Sequence, residues 1–160
     1  MTTLLVRTRA AVDDCEQHLK DTGASGTEIE AYLTQYVLVV MCAEIEQAVH
    51  SILERRVAGT ADPDLTRFAL SSGQRVLRSV SKNELAGFVG RFGDHAKEKL
   101  DSLLDETEVT LYNNAVKARH DIAHSRGATL TFSELLKALE VADKVIDAVN
   151  QAMNHKSSVY

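Results

Sequence analysis

An all-helical bundle is the fold that this sequence predicts, and three observations predict it. The chain holds a single proline, Pro63, and only eight glycines in 160 residues, too few for the many tight turns of a sandwich or barrel. Apolar residues recur at helical spacing in several long stretches, with no alternating strand pattern, repeat or low-complexity tract. Helix-start signatures stand at Thr27-Glu28-Ile29-Glu30, Ser81-Lys82-Asn83-Glu84 and Thr131-Phe132-Ser133-Glu134. The expected architecture is an up-down bundle of about four main helices with short helical inserts between the second and third.

Element by element, Leu4 to Thr22 places Leu4, Leu5, Ala11, Val12, Cys15 and Leu19 at helical intervals, and Gly23 and Gly26 end it. The Thr27 box opens a long helix to about Arg56. Its stripe is Leu33, Val37, Val40, Met41, Ile45, Val49 and Ile52, with Glu44 on the rim and Glu46 on the face of Cys42 and Leu53. Tyr32 and Tyr36, four apart, read as core in preference to a dimer contact. After a connector from Gly59 to Pro63, Asp64 is expected to cap a short helix through Leu70, with a break at Ser71 to Gly73. A helix from the Ser81 box ends near Gly93, and Asp94 caps the next through Leu104. A helix starting at Glu106 or Thr107 carries Leu111, Ala115, Ala118 and Ile122 and ends at Ser125 to Gly127. The Thr131 box opens the last helix, which runs to about Met153. Residues 1–154 form one expected domain and 155–160 a frayed tail.

Composition narrows the function classes. At 44% apolar and 26% charged the chain is too apolar to be disordered. A formal charge of −5 argues against a surface coated for bulk nucleic-acid binding, although a local basic site still acts over about 10 Å. Such a site is legible: from Thr66 to Gly93 the bases are Arg67, Arg75, Arg78, Lys82 and Arg91, and Glu84 is the only acid. Of these, Arg75, Arg78, Lys82 and Arg91 are candidates for a surface that tracks the phosphates of a nucleic acid such as RNA, and the equally weighted alternative is a merely solvated face. Two lone cysteines, Cys15 and Cys42, and a charged N-terminal stretch lead to the expectation of a reduced, cytoplasmic protein. The longest apolar run, Val37 to Ala43, is far short of the ~20 residues of a membrane helix, so no membrane partner is expected.

The chemistry concentrates in Arg119-His120-Asp121-Ile122-Ala123-His124, at the C-terminal end of a helix. Three readings compete. His120 and His124 share a helix face and suit a metal, but the glutamate of His-Glu-x-x-His is absent and no third ligand is near, so neither metal nor cofactor is expected. Cationic side chains also stabilise a helix C-terminus by about 0.3–1 kcal/mol. Finally, RNA cleavage by its own 2′-hydroxyl needs a base, an acid and positive charge on the phosphate, which His and Arg supply. Arg119 and His124 stand about 140° apart around a helix, so they meet one phosphate only where the helix end unwinds or a two-fold partner brings a second pair.

This stretch resembles the R-x4-6-H motif of the HEPN superfamily, in the wording of its RiboL-PSP-HEPN ribonuclease branch. Ala43-Glu44-Ile45-Glu46 is similar to the family's acidic second helix, and Arg91-Phe92-Gly93-Asp94 to its middle segment. The resemblance covers roughly residues 30 to 154. It implies Arg119 on the scissile phosphate, His124 as general base or acid, and His120 as a polar aid to both. It also implies an acidic partner for Arg119, with Glu46 preferred over Glu44. It further implies a homodimer with a composite active site, RNA as substrate, and a restraining antitoxin or regulatory partner in a toxin–antitoxin, antiphage or stress system. The rival reading is a non-catalytic interaction or nucleotide-binding module, which the acidic total charge favours.

Overall fold

The computed structural model describes residues 4–123 and 130–154, with backbone alone for Ile122 and Ala123. Among them are seven α-helices and no strand: α1 (Val6–Thr22), α2 (Glu28–Val57), α3 (Pro63–Val76), α4 (Lys82–Val89), α5 (Asp94–Leu103), α6 (Glu106–Ala123) and α7 (Phe132–Asn154). A single 3₁₀ turn, Gly90–Phe92, joins α4 to α5. Helices α1, α2, α6 and α7 are the four expected main helices, and α3 to α5 are the inserts. The expected tail at 155–160 and the expected helix end at Ser125 to Gly127 lie outside the described residues.

Helix α2 is the centre. It packs on α1, α3, α6 and α7, and α7 packs in turn on α4, α5 and α6. By length and composition α2 is apolar enough to cross a membrane. In the fold its residues Val37, Leu38, Met41, Ile45, Val49 and Ile52 are almost wholly buried, and they meet the equally buried Leu135, Ala138, Ala142, Val145 and Val149 of α7. The apolar stripe continues outward, however. Tyr32 and Tyr36 are 64% and 57% exposed, beside exposed Ile29 and Val39, which corrects their assignment to the core. A helix apolar on two sides cannot be covered on both by one bundle.

Helix ends are fixed by side chains, with instructive departures from expectation. The Thr131 box is complete: Thr131 Oγ1 accepts from the Glu134 amide at 3.2 Å, and Glu134 accepts from the Thr131 amide at 2.8 Å. At Thr27 the box is displaced. The hydroxyl accepts from Ile29, and Glu30 reaches the Gly26 amide, because the Thr27 amide already bonds Ala24. Asp62, not Asp64, caps α3, taking the Asp64 and Leu65 amides at 2.9 and 3.2 Å. Pro63 is the reason: with fixed φ and no N–H it sits at the first helical position, so the residue before it is the cap. Asp94 likewise opens α5 from inside, behind Gly93.

Helix α3 does not break at Ser71 to Gly73. Gly73 is buried, and a Cβ there would stand 2.3 Å from Leu53 Cδ2. The glycine serves close approach of α3 to α2 rather than termination.

Glu44 is absorbed by the scaffold. Its carboxylate accepts from the Arg7 amide at 3.0 Å, the Thr8 amide at 2.8 Å and the Thr8 hydroxyl at 2.7 Å, capping α1 from across the helix pair. Because α1 begins against the middle of α2 and turns into it at Thr27, the two run antiparallel. Ion pairs Arg9–Asp143 and Lys144–Glu108 tie α1 and α6 to α7.

Burial works to raise the Glu44 pKa, but the Arg7 amide and the Thr8 hydroxyl and amide outweigh it and hold it below the ordinary 4.5. A depressed carboxylate stabilises the fold above its unfolded pKa, and that contribution is lost as pH falls through the folded value. Glu44→Ala is expected to lower unfolding stability by about 1–2 kcal/mol in urea titration, and Glu44→Gln to flatten part of the stability loss between about pH 5 and pH 3. Gly73→Val is expected to cost about 1–3 kcal/mol by overpacking against Leu53.

Candidate functional site

Helix α6 positions the Arg-His motif. Asp105 caps it, accepting from the Glu108 amide at 2.8 Å, one residue before the expected start. Its inward face runs through Tyr112, Ala115 and Val116, all buried, and returns at Arg119. Tyr112 is the anchor. Its ring is fully buried, its hydroxyl donates to the Val80 carbonyl at 2.5 Å, and burial pushes the phenol well above its ordinary value near 10. Beside it, Asn113 Oδ1 accepts from the Lys82 amide at 3.0 Å. Further along, His120 Nε2 shares a hydrogen bond of 3.2 Å with Ser79 Oγ, which also accepts from the Ser81 amide. The segment between α3 and α4, with the first residue of α4, is thus fastened to α6 at three places, and one of them is the motif itself.

Arg119 faces α2. Burial pushes the Cys42 thiol up to about 11, with Arg119 pulling it down and Glu46 pushing it up, so Cys42 lies within electrostatic range of both. At neutral pH it is a protonated core thiol and not a nucleophile. Arg119 is half-buried, and among the described residues no carboxylate reaches it within ion-pair distance. The direct acid–guanidinium pair expected from the resemblance is therefore not formed. Glu44 is held by α1. Glu46 is exposed, and its Oε1 stands 3.7 Å from Nε2 of His50, one helix turn away. A half-buried guanidinium without a counter-charge keeps its donor fork for an incoming anion.

Arg119 is thus brought near Cys42 and Glu46 at the seam of α2 and α6, while His120 meets Ser79 of the segment between α3 and α4. His124 lies outside the described residues, as does the segment that follows it. Among the described residues no group of three metal-ligating side chains occurs.

The basic segment divides. Arg75, Arg78 and Arg91 line one groove of about 320 Å³ between α3 and α4, together with Asn83, Glu84 and Gly87. Lys82 is not among them. Its side chain is 18% exposed and ion-paired with Asp101, whose carboxyl is held below its usual range first by that hydrogen bond. Of the four candidate RNA-binding residues the lysine thus stands apart from the groove, engaged with an α5 carboxylate. Sequence reasoning missed Ser79 and Asn113. Nothing in the sequence singles out Ser79, because its role comes from the loop crossing α6.

No curated protein and no solved structure gives a significant match. The family model described as RiboL-PSP-HEPN matches residues 6–155, nearly the whole chain. The match runs from the first helix of this all-helical fold to the last, and the chain belongs to the RiboL-PSP-HEPN family of the HEPN superfamily.

Proposed function

We propose that this protein is a metal-independent endoribonuclease. The observation that carries the reading is Arg119: a half-buried guanidinium beside His120, with no carboxylate at ion-pair distance among the described residues. Its fork would hold two oxygens of the scissile phosphate and offset the charge that builds as the 2′-oxygen attacks phosphorus. His124 takes the 2′-hydroxyl proton or delivers one to the departing 5′-oxygen. The P–O5′ bond breaks as the new P–O2′ bond forms, leaving a 2′,3′-cyclic phosphate and a 5′-hydroxyl. His120, steadied by Ser79, supports the phosphate or the orientation of Arg119. Glu46 acts on Arg119 through space from the α2 side.

One His124 cannot be base and acid for the same turnover, so the reading includes a homodimer that sets two motifs at one groove. The exposed stripe Ile29, Tyr32, Tyr36 and Val39 supports this, since its 3-4-3 spacing continues along α2 to Ala43 and Glu46, beside the Arg119 layer. A restraining antitoxin or regulatory partner, and service in a toxin–antitoxin, antiphage or stress response, complete the proposal. The acidic overall charge favours the alternative of a non-catalytic module.

Purified protein in EDTA is expected to cut a mixed RNA and leave cyclic-phosphate ends detectable by mass spectrometry. Arg119→Ala and His124→Ala are each expected to reduce the rate by about 10²–10³-fold, and His120→Ala by less. Failure of the wild type to cut any RNA after removal of its partner would leave the non-catalytic reading. Sedimentation at micromolar concentration is expected to give a dimer that Tyr36→Glu dissociates, with cleavage falling alongside. A wild type that is monomeric throughout contradicts the composite site.

A further inference from the structure

The groove between α3 and α4 has a composition that the motif chemistry does not use. Three guanidiniums, those of Arg75, Arg78 and Arg91, converge on about 320 Å³. Among the described residues none of the three has an ion-pair partner, although Glu84 lines the same groove. Some cations elsewhere do find carboxylates, as Arg9 does with Asp143 and Lys82 with Asp101, and others such as Arg55 and Lys117 stand unpaired among the described residues, so what sets these three apart is their convergence on one groove. Three arginines left open at one place, with planar forks suited to phosphate, form a site for an anion.

Position says which anion. Arg78 lines the groove, and the next residue, Ser79, bonds His120 of the motif. The groove and the motif are therefore joined through consecutive residues, so an RNA held at the motif has the groove as a neighbouring place for its next phosphates. The lining also says how the ligand is read. Phe88 contributes to the wall but is 2% exposed, so the groove offers no aromatic face on which a base stacks. We infer that the groove of Arg75, Arg78 and Arg91 is a second subsite, holding the phosphodiester backbone of single-stranded RNA beyond the scissile phosphate without reading its bases. This deepens the ribonuclease reading and rests on it for the choice of RNA as the occupant.

The probe is uncleavable 2′-O-methyl RNA, one oligo-U and one oligo-A of about a dozen nucleotides, followed by fluorescence anisotropy across a salt series. Arg75→Gln/Arg91→Gln is expected to weaken both oligomers equally, about tenfold or more at low salt. It is also expected to make the slope of log affinity against log salt shallower by about 1.4, or 0.7 for each lost single-strand phosphate contact. Arg67→Gln, whose side chain is 83% exposed on α3 outside the groove, is expected to change affinity less than twofold. A Cβ on Gly87 meets nothing within 4 Å, so Gly87→Leu fills the groove at constant charge and is expected to weaken binding while circular dichroism stays native.

Unchanged affinity in the double variant overturns the subsite. Loss confined to one oligomer overturns backbone reading. Loss in Arg67→Gln equal to that in the double variant reduces the effect to general charge and overturns it too. Equal or tighter binding of a polyglutamate peptide at the same groove assigns it to an acidic protein partner instead. Failure of the nuclease reading is distinct: RNA would remain uncut in EDTA by the wild type, while groove-dependent binding of the 2′-O-methyl probes persisted.

Discussion

Thirty residues of α2 carry apolar side chains on more than one side, and burying them requires several neighbours at once. That requirement arranges the molecule. Helix α7 covers one flank, α1 and α3 lie along others, and α6 closes the seam. Gly73 lets α3 come close enough to Leu53 to complete the cover. The geometry of α6 follows from the same packing. Its inward residues must meet α2 in the layer of Cys42 and Ile45, and Arg119 occupies the last position on that face before the motif ends. The charge at the candidate site is held against an apolar helix because the core demanded a helix there.

Polar groups buried at such a seam need partners, and the protein provides them selectively. The Tyr112 hydroxyl has Val80, Asn113 has the Lys82 amide and His120 has Ser79. Glu44 is spent on the amides of α1. Arg119 alone at this seam keeps an uncompensated charge among the described residues. Such a group costs desolvation in the free protein and interacts strongly with an anion when one arrives, since the surroundings screen it less than water would. The three open arginines between α3 and α4 gather positive charge at one groove on a protein whose net charge is −5. Net charge was therefore a poor guide to where an anion would sit.

Much of the fold was legible because helices are local. Periodicity marks Leu135, Leu139, Ala142, Val145, Ile146 and Val149 as one buried face of α7, and all are buried. The Thr131 box reads directly as a helix start. Misreadings occurred where a local pattern has two physical uses. A glycine either ends a helix or admits a neighbour, and Gly73 does the second. An aspartate near a proline either caps or follows, and Asp62 is the cap. Aromatic residues at helical spacing either fill a core or face outward, and Tyr32 and Tyr36 face outward because α2 has more apolar surface than the bundle can cover.

For the site, the sequence by itself placed Arg119 and His120 together at a helix end, since neighbouring positions on one helix have fixed relations. It likewise located the excess of base between Thr66 and Gly93. Only the tertiary structure decided what those charges face. Glu44 and Glu46 differ by two positions, and it is the docking of α1 that occupies the first and leaves the second beside the Cys42 layer. Lys82 and Arg91 look alike as cations in one run, and it is the approach of α5 that pairs the lysine with Asp101 while the arginine remains in the groove. Ser79 acquires its contact with His120 only because a loop crosses α6. Whether a charge is spent or open depends on groups far away in the chain, and a sequence read locally contains no distance between them.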